Sequence, residues 1–186
     1  MNENKKIRLE RLADYGRKNP SLASTIPKRV LELRKKIIKE SFCSPYFPEH
    51  QREFVRNIEG VDYINDSHAC SVHCLWFSIE ETKSPIILIT GGTQRNQGYS
   101  KLGKELLTKK LSAIILLGEN PELTQHLNGT EIPIIRTTSL EEAVETAQYL
   151  SKPKDTILFS PGCPSFEIFE NYEERGRKFS SIVKKL

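Results

Sequence analysis

Two apolar runs constrain the fold of this 186-residue chain more than any other feature. Residues 86–89 read Ile-Ile-Leu-Ile and residues 113–117 read Ala-Ile-Ile-Leu-Leu, with no polar side chain inside either run. A strand with one face in water alternates polar and apolar residues, so these unbroken runs predict strands that are buried on both faces. Strands of this kind occur in parallel sheets covered by helices on both sides.

Helical patterns alternate with such strands from residue 60 to the end of the chain. We predict strands at 61–65, 85–90, 112–118, 132–136 and 155–160, and helices at 70–81, 99–109, 121–127, 140–150 and 168–186. The alternation predicts an α/β, Rossmann-like fold with a mostly parallel sheet and helices on both faces. Ligands bind such sheets at the carboxyl ends of the strands, which fall here at Asp66, Gly91, Gly118 and Ser160.

The first part of the chain has a different, basic character. Residues 1–60 hold 14 Lys and Arg against 8 Asp and Glu and read as helical and accessory. We divide the chain into a helical arm, 1–47, and an α/β domain, 48–186. An apolar stripe over 28–42 must be buried, so we expect the arm to fold back on the domain or to mediate self-association. The basic residues are spread over two helical patterns, which favours solvated faces over nucleic-acid binding.

Several classes of protein are excluded by composition. No apolar run approaches the roughly 20 residues that span a bilayer, and no signal-peptide pattern follows the initial Met, so we expect no membrane contact. The four cysteines are scattered, which favours reduced thiols and a cytoplasmic location. No Gly-Lys-Ser/Thr occurs anywhere in the chain, so it contains no P-loop.

Three clusters at strand ends contain the candidate functional residues. Residues 63–70 read Tyr-Ile-Asn-Asp-Ser-His-Ala-Cys, where an acid and a hydroxyl either face a ligand or cap the next helix. Residues 91–98 read Gly-Gly-Thr-Gln-Arg-Asn-Gln-Gly, which either hold an anion with backbone amides or form a flexible connection. Residues 160–166 read Ser-Pro-Gly-Cys-Pro-Ser-Phe, and both serines offer hydroxyls near the start of the last helix.

A metal site is an alternative interpretation of the first cluster. His68, Cys70, His73 and Cys74 fall within seven residues, and imidazole and thiolate ligands suit zinc. Their spacing matches no common zinc finger, and Cys74 also fits the buried face of a helix. We therefore take no metal ligand as established.

The clusters together resemble the C-terminal domain of the Mur ligases. The likeness rests on Tyr-Ile-Asn-Asp-Ser at 63–67, Ile-Leu-Ile-Thr-Gly-Gly at 87–92, Ile-Ile-Leu-Leu-Gly-Glu-Asn at 114–120 and Glu-Glu-Ala-Val at 141–144. Ser-Pro-Gly-Cys-Pro-Ser-Phe at 160–166 and Phe-Glu-Asn-Tyr-Glu-Glu-Arg-Gly at 169–176 are similar to the D-glutamate-adding member. The resemblance covers about residues 48–186.

The resemblance implies a role in an ATP-dependent ligase of peptidoglycan precursor synthesis. In that family ATP phosphorylates the carboxylate of UDP-N-acetylmuramoyl-L-alanine, and the amine of D-glutamate attacks the acyl phosphate. Two other domains hold the UDP-sugar, the P-loop and the magnesium ions. We therefore expect no cofactor on this chain alone, with ATP and magnesium implied for the complete enzyme. The implied partners are a small acidic ligand and either an ATP-binding ligase chain or a second copy of this chain.

The resemblance also implies roles for single residues. Asp66 matches the acid that contacts the nucleotide, and the substrate-binding positions correspond to Cys70, Thr93, Arg95, Ser165, Phe166 and Tyr172. Where the family reads Asp-Ser-Lys-Ala-Thr-Asn, this chain has His68 in place of the lysine and Cys70 in place of the threonine. A permanent cation is thus replaced by a side chain that is largely neutral at pH 7, and a hydroxyl by a weakly hydrogen-bonding thiol.

The glycine loop departs from the family as well. Thr93 and Arg95 stand where the family has an aspartate and a lysine, although Arg95 can still hold a carboxylate with two hydrogen bonds. These changes at ligand-facing positions leave two functional hypotheses. The chain is the D-glutamate-binding domain of a Mur-type ligase and is incomplete as an enzyme. Alternatively, it is a catalytically retired paralogue that serves as a ligand-binding or protein-interaction module.

Overall fold

The computed structural model describes residues 49–83, 85–91, 98–99, 102–165 and 169–186. Within these ranges the strands are β1 (Glu53–Ile58), β2 (Val61–Asn65), β3 (Ile86–Thr90), β4 (Leu111–Leu117), β5 (Ile134–Thr137) and β6 (Thr156–Phe159). The helices are α1 (Val72–Glu81), α2 (Lys104–Lys110), α3 (Pro121–His126), α4 (Leu140–Leu150) and α5 (Tyr172–Lys185).

The strands form one sheet in the order β1-β2-β6-β3-β4-β5. The pairs β2–β6, β6–β3, β3–β4 and β4–β5 are parallel, and only β1 runs antiparallel to its neighbour β2. The predicted Rossmann-like α/β fold with a mostly parallel sheet is therefore confirmed. Strand β6 is inserted between β2 and β3, so three strand ends that are far apart in sequence become neighbours.

The apolar runs are buried on both faces because successive side chains of a strand point to opposite sides. Ile87 and Ile89 pack with α4 and α5 in one core cluster, whereas Ile86 and Leu88 pack with α1, α2 and α3 in the other. All five residues of β3 are buried. Each face of the central strands therefore needs an apolar side chain, which explains why no polar residue interrupts them.

Helix boundaries follow the capping residues more closely than the apolar patterns. Helix α4 has its predicted bounds, and the Ser139 hydroxyl accepts a hydrogen bond from the Glu142 amide as an N-cap. The predicted start of α5 at 168 was wrong, because Asn171 caps this helix through the Glu174 amide at 2.7 Å. The predicted start of α2 at 99 was also wrong, since Gly103 is the N-cap.

Strand β1 corrects the interpretation of residues 1–60 as helical. Glu53–Ile58 pairs with β2 through the two-residue turn Glu59-Gly60, and both turn residues have positive φ, +50° and +83°. This is the backbone geometry that two-residue hairpins favour. The apolar pattern of β1 in the sequence is weak because the strand lies at the sheet edge. Of its six residues, only Val55 and Ile58 are half-buried. The arm predicted for 1–47 lies outside the described residues.

None of the helices in the described ranges has the length and apolar character required to cross a membrane.

Candidate functional site

The loops after β2, β6 and β3 lie side by side at the carboxyl edge of the sheet. Backbone hydrogen bonds join them: the Asp66 amide donates to the Phe159 carbonyl at 2.8 Å, and the Gly162 amide donates to the Ala69 carbonyl at 2.9 Å. The Gly91 amide donates to the Pro161 carbonyl at 3.2 Å. The sheet order thus brings together the described beginnings of the three sequence clusters, with the β6 loop in the middle.

Asp66 is a buried acid of these loops that accepts several hydrogen bonds. Its side chain is 3% exposed. One carboxylate oxygen, Oδ2, accepts hydrogen bonds from the hydroxyls of Ser78 at 2.6 Å and Ser160 at 2.7 Å, and Oδ1 accepts one from the Arg52 amide at 3.1 Å. Asp66 therefore links α1, the β6 loop and the segment before β1. Its predicted contact with a nucleotide stays a prediction.

Burial changes the acidity of Asp66. Loss of solvation raises its pKa from the ordinary 3.8 to about 6, although the hydrogen bonds from Ser78, Ser160 and the Arg52 amide act in the opposite direction. The Arg52 guanidinium also favours the charged form, and it is fixed by a hydrogen bond to the Ser78 carbonyl at 2.8 Å. The carboxyl group is consequently mostly ionised at pH 7.5 and mostly protonated below pH 5.

His68 lies at the rim of the same loop, against Tyr172. The two ring centroids are 4.8 Å apart in an edge-to-face arrangement, and the Ser67 hydroxyl donates to the Tyr172 carbonyl at 2.8 Å. Partial burial lowers the pKa of His68, and the nearby carboxylate of Glu173 only opposes this shift. His68 is therefore mainly neutral at pH 7 and supplies no permanent positive charge.

Arg175, which the sequence did not single out as a site residue, connects two of the loops. The guanidinium is 3% exposed and donates from Nε to the Ser67 hydroxyl at 3.0 Å and from Nη2 to the Ser67 carbonyl at 2.8 Å. Its Nη1 donates to the Cys163 carbonyl at 3.1 Å. In the described part of the chain, Arg175 has no carboxylate partner within salt-bridge distance.

The thiol of Cys70 lies next to this guanidinium, with Sγ 3.8 Å from Arg175 Nη2. Burial raises the pKa of Cys70, and the positive charge of Arg175 only partly offsets the effect. Burial likewise raises the pKa of Cys74, whose sulfur accepts a hydrogen bond from the Ser71 hydroxyl at 3.2 Å. Both thiols are therefore protonated at neutral pH.

The zinc alternative finds no support in the arrangement of its residues. His68, Cys70, His73 and Cys74 all lie in the described ranges, yet no three His, Cys, Asp or Glu side chains there are grouped to hold a metal ion. Cys74 is inside α1, whereas His68 and Cys70 precede that helix.

The β6 loop presents Ser165 close to the start of α5. Ser165 is buried, and its carbonyl accepts a hydrogen bond from the Phe169 amide at 3.0 Å. The buried Cys163 thiol donates to the Gly91 carbonyl at 3.0 Å, which ties this loop to the first residue of the glycine loop. The remaining predicted site residues, Thr93, Arg95 and Phe166, lie outside the described residues.

The sequence pattern indicates that two of these residues, Arg175 and Ser78, are buried. Arg175 precedes Phe179 and Val183 by four and eight residues, so it occupies the apolar stripe of α5. Ser78 similarly lies on the buried face of α1, beside Ile79. A charged or hydroxyl side chain in an apolar stripe must find a buried partner, but the sequence does not say which one.

Comparison with known proteins gives relatives for nearly the whole chain. The chain is 37% identical over 180 residues to the UDP-N-acetylmuramoylalanine–D-glutamate ligase of Salinibacter ruber, covering 95% of this chain and 39% of the relative. The ligase of the same name from Christiangramia forsetii is 38% identical over 178 residues, covering 94% of this chain and 40% of the relative. The chain thus spans about two fifths of the length of these curated relatives. No family model matches the chain.

Solved structures support the fold. FolC of Escherichia coli, in complex with ADP and without folate substrate, superposes with a TM-score of 0.50 at 16% identity, covering 75% of this chain and 32% of that one. A bifunctional folylpolyglutamate synthase/dihydrofolate synthase from Yersinia pestis gives a TM-score of 0.50 at 12% identity, covering 73% of this chain and 31% of that one. At these identities the likeness concerns the fold alone.

Proposed function

We propose that this chain supplies the D-glutamate-binding part of a peptidoglycan-precursor ligase of the Mur family, because nearly its whole length is similar to UDP-N-acetylmuramoylalanine–D-glutamate ligases. The observation that carries the proposal is the junction of the β2, β6 and β3 loops. The β2 and β6 loops that meet there carry Cys70 and Ser165, and the β2 loop also contacts Tyr172. These are the described positions that the family resemblance assigns to the amino acid.

The proposed ligand is a small acidic amino acid. Arg95 offers a guanidinium fork for one carboxylate, and Ser165 with the backbone amides of the glycine loop offers neutral donors for the other. The protonated thiol of Cys70 adds no negative charge to this side of the junction.

We further propose that these 186 residues do not complete the reaction by themselves. The relatives are about two and a half times as long, and the chain has no Gly-Lys-Ser/Thr to hold ATP phosphates. ATP and magnesium would bind elsewhere in the complete enzyme, on an ATP-binding partner chain or on further domains. Self-association through residues 1–47 is the other proposed partnership. We propose a cytoplasmic location, because an ATP-dependent reaction of this kind draws on cytoplasmic ATP.

Titration with D-glutamate, followed by NMR, tests the proposed binding function. We expect a dissociation constant of about a millimolar or weaker, because part of the closed site is missing. Shifts should concentrate in residues 91–98 and 160–172, and L-glutamate at the same concentration should give smaller ones. Arg95→Ala should weaken the shifts. Absence of any shift in both segments at saturating D-glutamate would refute the binding function.

A retired paralogue is the second candidate, and the neutral His68 favours it. A permanent cation is missing at the position where the family has a lysine, and burial lowers the pKa of His68 further. A fusion distinguishes the two: residues 48–186 would replace the corresponding part of the Salinibacter ruber ligase. Ligase activity of the fusion supports a working domain. An inactive fusion that His68→Lys together with Cys70→Thr restores supports retirement.

A further inference from the structure

The buried guanidinium of Arg175 has no role in the proposed ligand contacts, yet it lies directly behind the loops that make them. It is 3% exposed, so a ligand at the junction of the loops cannot reach it without a rearrangement of the protein. Three of its N–H groups bind oxygen atoms of Ser67 and Cys163, and the other two face the sulfurs of Cys70 and Cys163 at 3.8 and 4.0 Å. Within the described residues, the partners of the guanidinium all belong to the β2 and β6 loops.

We propose that Arg175 is a positioning residue, which holds the β2 loop against the β6 loop and so forms the amino-acid pocket before the ligand arrives. The inference rests on the proposed function in so far as the pocket is one for an amino acid. Arg175 acts through Ser67 and Cys163 and touches no ligand itself.

The geometry explains why the positioning depends on a guanidinium. Nε and Nη2 bind two oxygens of the same residue, the hydroxyl and the carbonyl of Ser67, while Nη1 binds the Cys163 carbonyl on the other loop. A planar fork with five donors spans both loops at once, whereas a lysine ammonium concentrates its donors at one point.

The hydrogen bonds of Arg175 to Ser67 and Cys163, called the clamp below, connect it to Tyr172 and to the glycine loop as well. The Ser67 hydroxyl, which accepts from Arg175, donates onward to the Tyr172 carbonyl at 2.8 Å. Cys163, whose carbonyl accepts from Arg175, donates its thiol proton to the Gly91 carbonyl at 3.0 Å. Arg175 is thus connected to Tyr172 on one side and to the glycine loop on the other.

The positive charge of this group stays uncompensated in the described part of the chain. Its partners are carbonyl, hydroxyl and thiol groups, which carry only partial charges. Burying such a charge without a counterion is unfavourable, so a simple packing role is better filled by an apolar side chain. The presence of an arginine despite this expected cost is consistent with a residue retained for the geometry that it imposes.

Hydrogen exchange of the ligand-free 186-residue chain tests the clamp without reference to any ligand. Arg175→Lys keeps the charge but breaks the fork. We expect amide exchange to accelerate about tenfold, the effect of one lost charge-assisted hydrogen bond, in residues 66–71 and 161–165 together. The strands β3 and β6 should keep their protection. Arg177→Lys, at an exposed arginine two residues further along α5, is the matched control and should change neither loop.

Binding of D-glutamate to the same variants provides the functional readout. Arg175→Lys should weaken the dissociation constant about tenfold, while Arg177→Lys leaves it unchanged. Ser67→Ala is a milder variant that removes one oxygen of the clamp, and it decides the question if Arg175→Lys does not fold. Unchanged exchange in either loop, or wild-type affinity in a folded Arg175→Lys or Ser67→Ala variant, would overturn the proposal.

The two hypotheses fail in different ways. If the wild-type chain binds no D-glutamate, the proposed function is wrong, but the exchange experiment still decides whether Arg175 holds the two loops. If the wild type binds and the variants bind equally well, the proposed function stands and the positioning role is wrong.

Discussion

The imidazole ring of His50 lies directly against the backbone of Gly176, so that a Cβ atom at position 176 would overlap the ring. His50 is buried beside this glycine, and its carbonyl accepts a hydrogen bond from the His68 amide at 3.0 Å. The segment that leads into β1 is therefore fixed both to α5 and to the loop that carries Asp66. Gly176 occurs in the motif at 169–176, and its lack of a side chain is what allows this contact.

Gly176→Ala should destabilise the domain although alanine is the better helix former. The added methyl group forces the ring or the helix to move, at about 1–3 kcal/mol, which outweighs a helix-propensity gain of up to about 1 kcal/mol. Urea unfolding would measure the loss. Gly103→Ala is the control, since a methyl group there would meet no atom within 4 Å, and it should cost less than about 1 kcal/mol. Combining Gly176→Ala with His50→Ala should recover part of the loss, and simple additivity would contradict the contact.

Asp66 should make the domain more stable at acidic pH than at neutral pH. Its pKa is about 6 in the folded chain against 3.8 ordinarily, so the folded state binds the proton more tightly. The contribution of Asp66 to the free energy of unfolding therefore increases as the pH falls from about 7 to 4. The same contribution is lost as the pH rises through the folded pKa of about 6. Asp66→Asn removes the effect. When the pH is lowered from 7.5 to 4, the free energy of unfolding of the wild type should increase by about 1–3 kcal/mol relative to that of Asp66→Asn.

Urea titrations of both proteins across this pH range would measure that shift. Glu145→Gln, at an exposed position on α4, controls for the general effect of removing a carboxylate. A constant difference between wild type and Asp66→Asn would mean that the pKa of Asp66 is not raised.

Ser160→Ala should destabilise the ionised form of Asp66. The substitution removes the 2.7 Å hydrogen bond to Oδ2 from a fully buried hydroxyl, which should cost about 1–3 kcal/mol at pH 7.5. The pKa of Asp66, followed through its carboxyl carbon by NMR, should increase further. Ser181→Ala removes an exposed hydroxyl and should stay within about 0.5 kcal/mol of wild type. Equal effects of the two substitutions would show that Ser160 does not support the carboxylate.

Gly91→Ala should reduce the free energy of unfolding more than the same substitution at a glycine that also has positive φ but open space around it. Gly91 has φ +113°, and a Cβ there would lie 3.0 Å from the Leu117 carbonyl oxygen, a backbone atom that cannot easily move. We expect a loss of about 2–4 kcal/mol. Gly129 is the control, because it has φ +80° but a Cβ there would have no neighbour within 4 Å. Gly129→Ala therefore measures the cost of the backbone conformation alone and should cost about 1 kcal/mol. Thermal unfolding of both variants makes the comparison, and equal losses would exclude the Leu117 contact.

The purified 186-residue chain should show no ATP turnover. It contains no Gly-Lys-Ser/Thr to hold the phosphates, and phosphoryl transfer depends on positioning them with magnesium. Phosphate release should therefore equal that of a heat-inactivated sample, with or without D-glutamate. Magnesium-dependent release above that background would refute the expectation that the chain is incomplete as an enzyme.

The sequence by itself determined the fold class, because burial on two faces forces strands such as β3 to be apolar throughout. For α4 it also determined the start of the helix, because the Ser139 cap acts over three residues, whereas the equally local Asn171 cap of α5 was outweighed by the apolar pattern before it. The motifs around Asp66 and Ser165 could be located for the same reason: each is a local run of residues at a strand end.

Tertiary structure decided which side chains meet. Ser160 reaches Asp66 across 94 residues, and Arg175 reaches Ser67 across 108, because β6 is inserted beside β2 and α5 packs over both. Strand β1 was missed because an edge strand buries little, so its pattern carries a weak signal until β2 supplies the hydrogen-bonding partner. A sequence shows that a polar residue in an apolar stripe needs a partner, but only the packing of distant segments decides which partner it has.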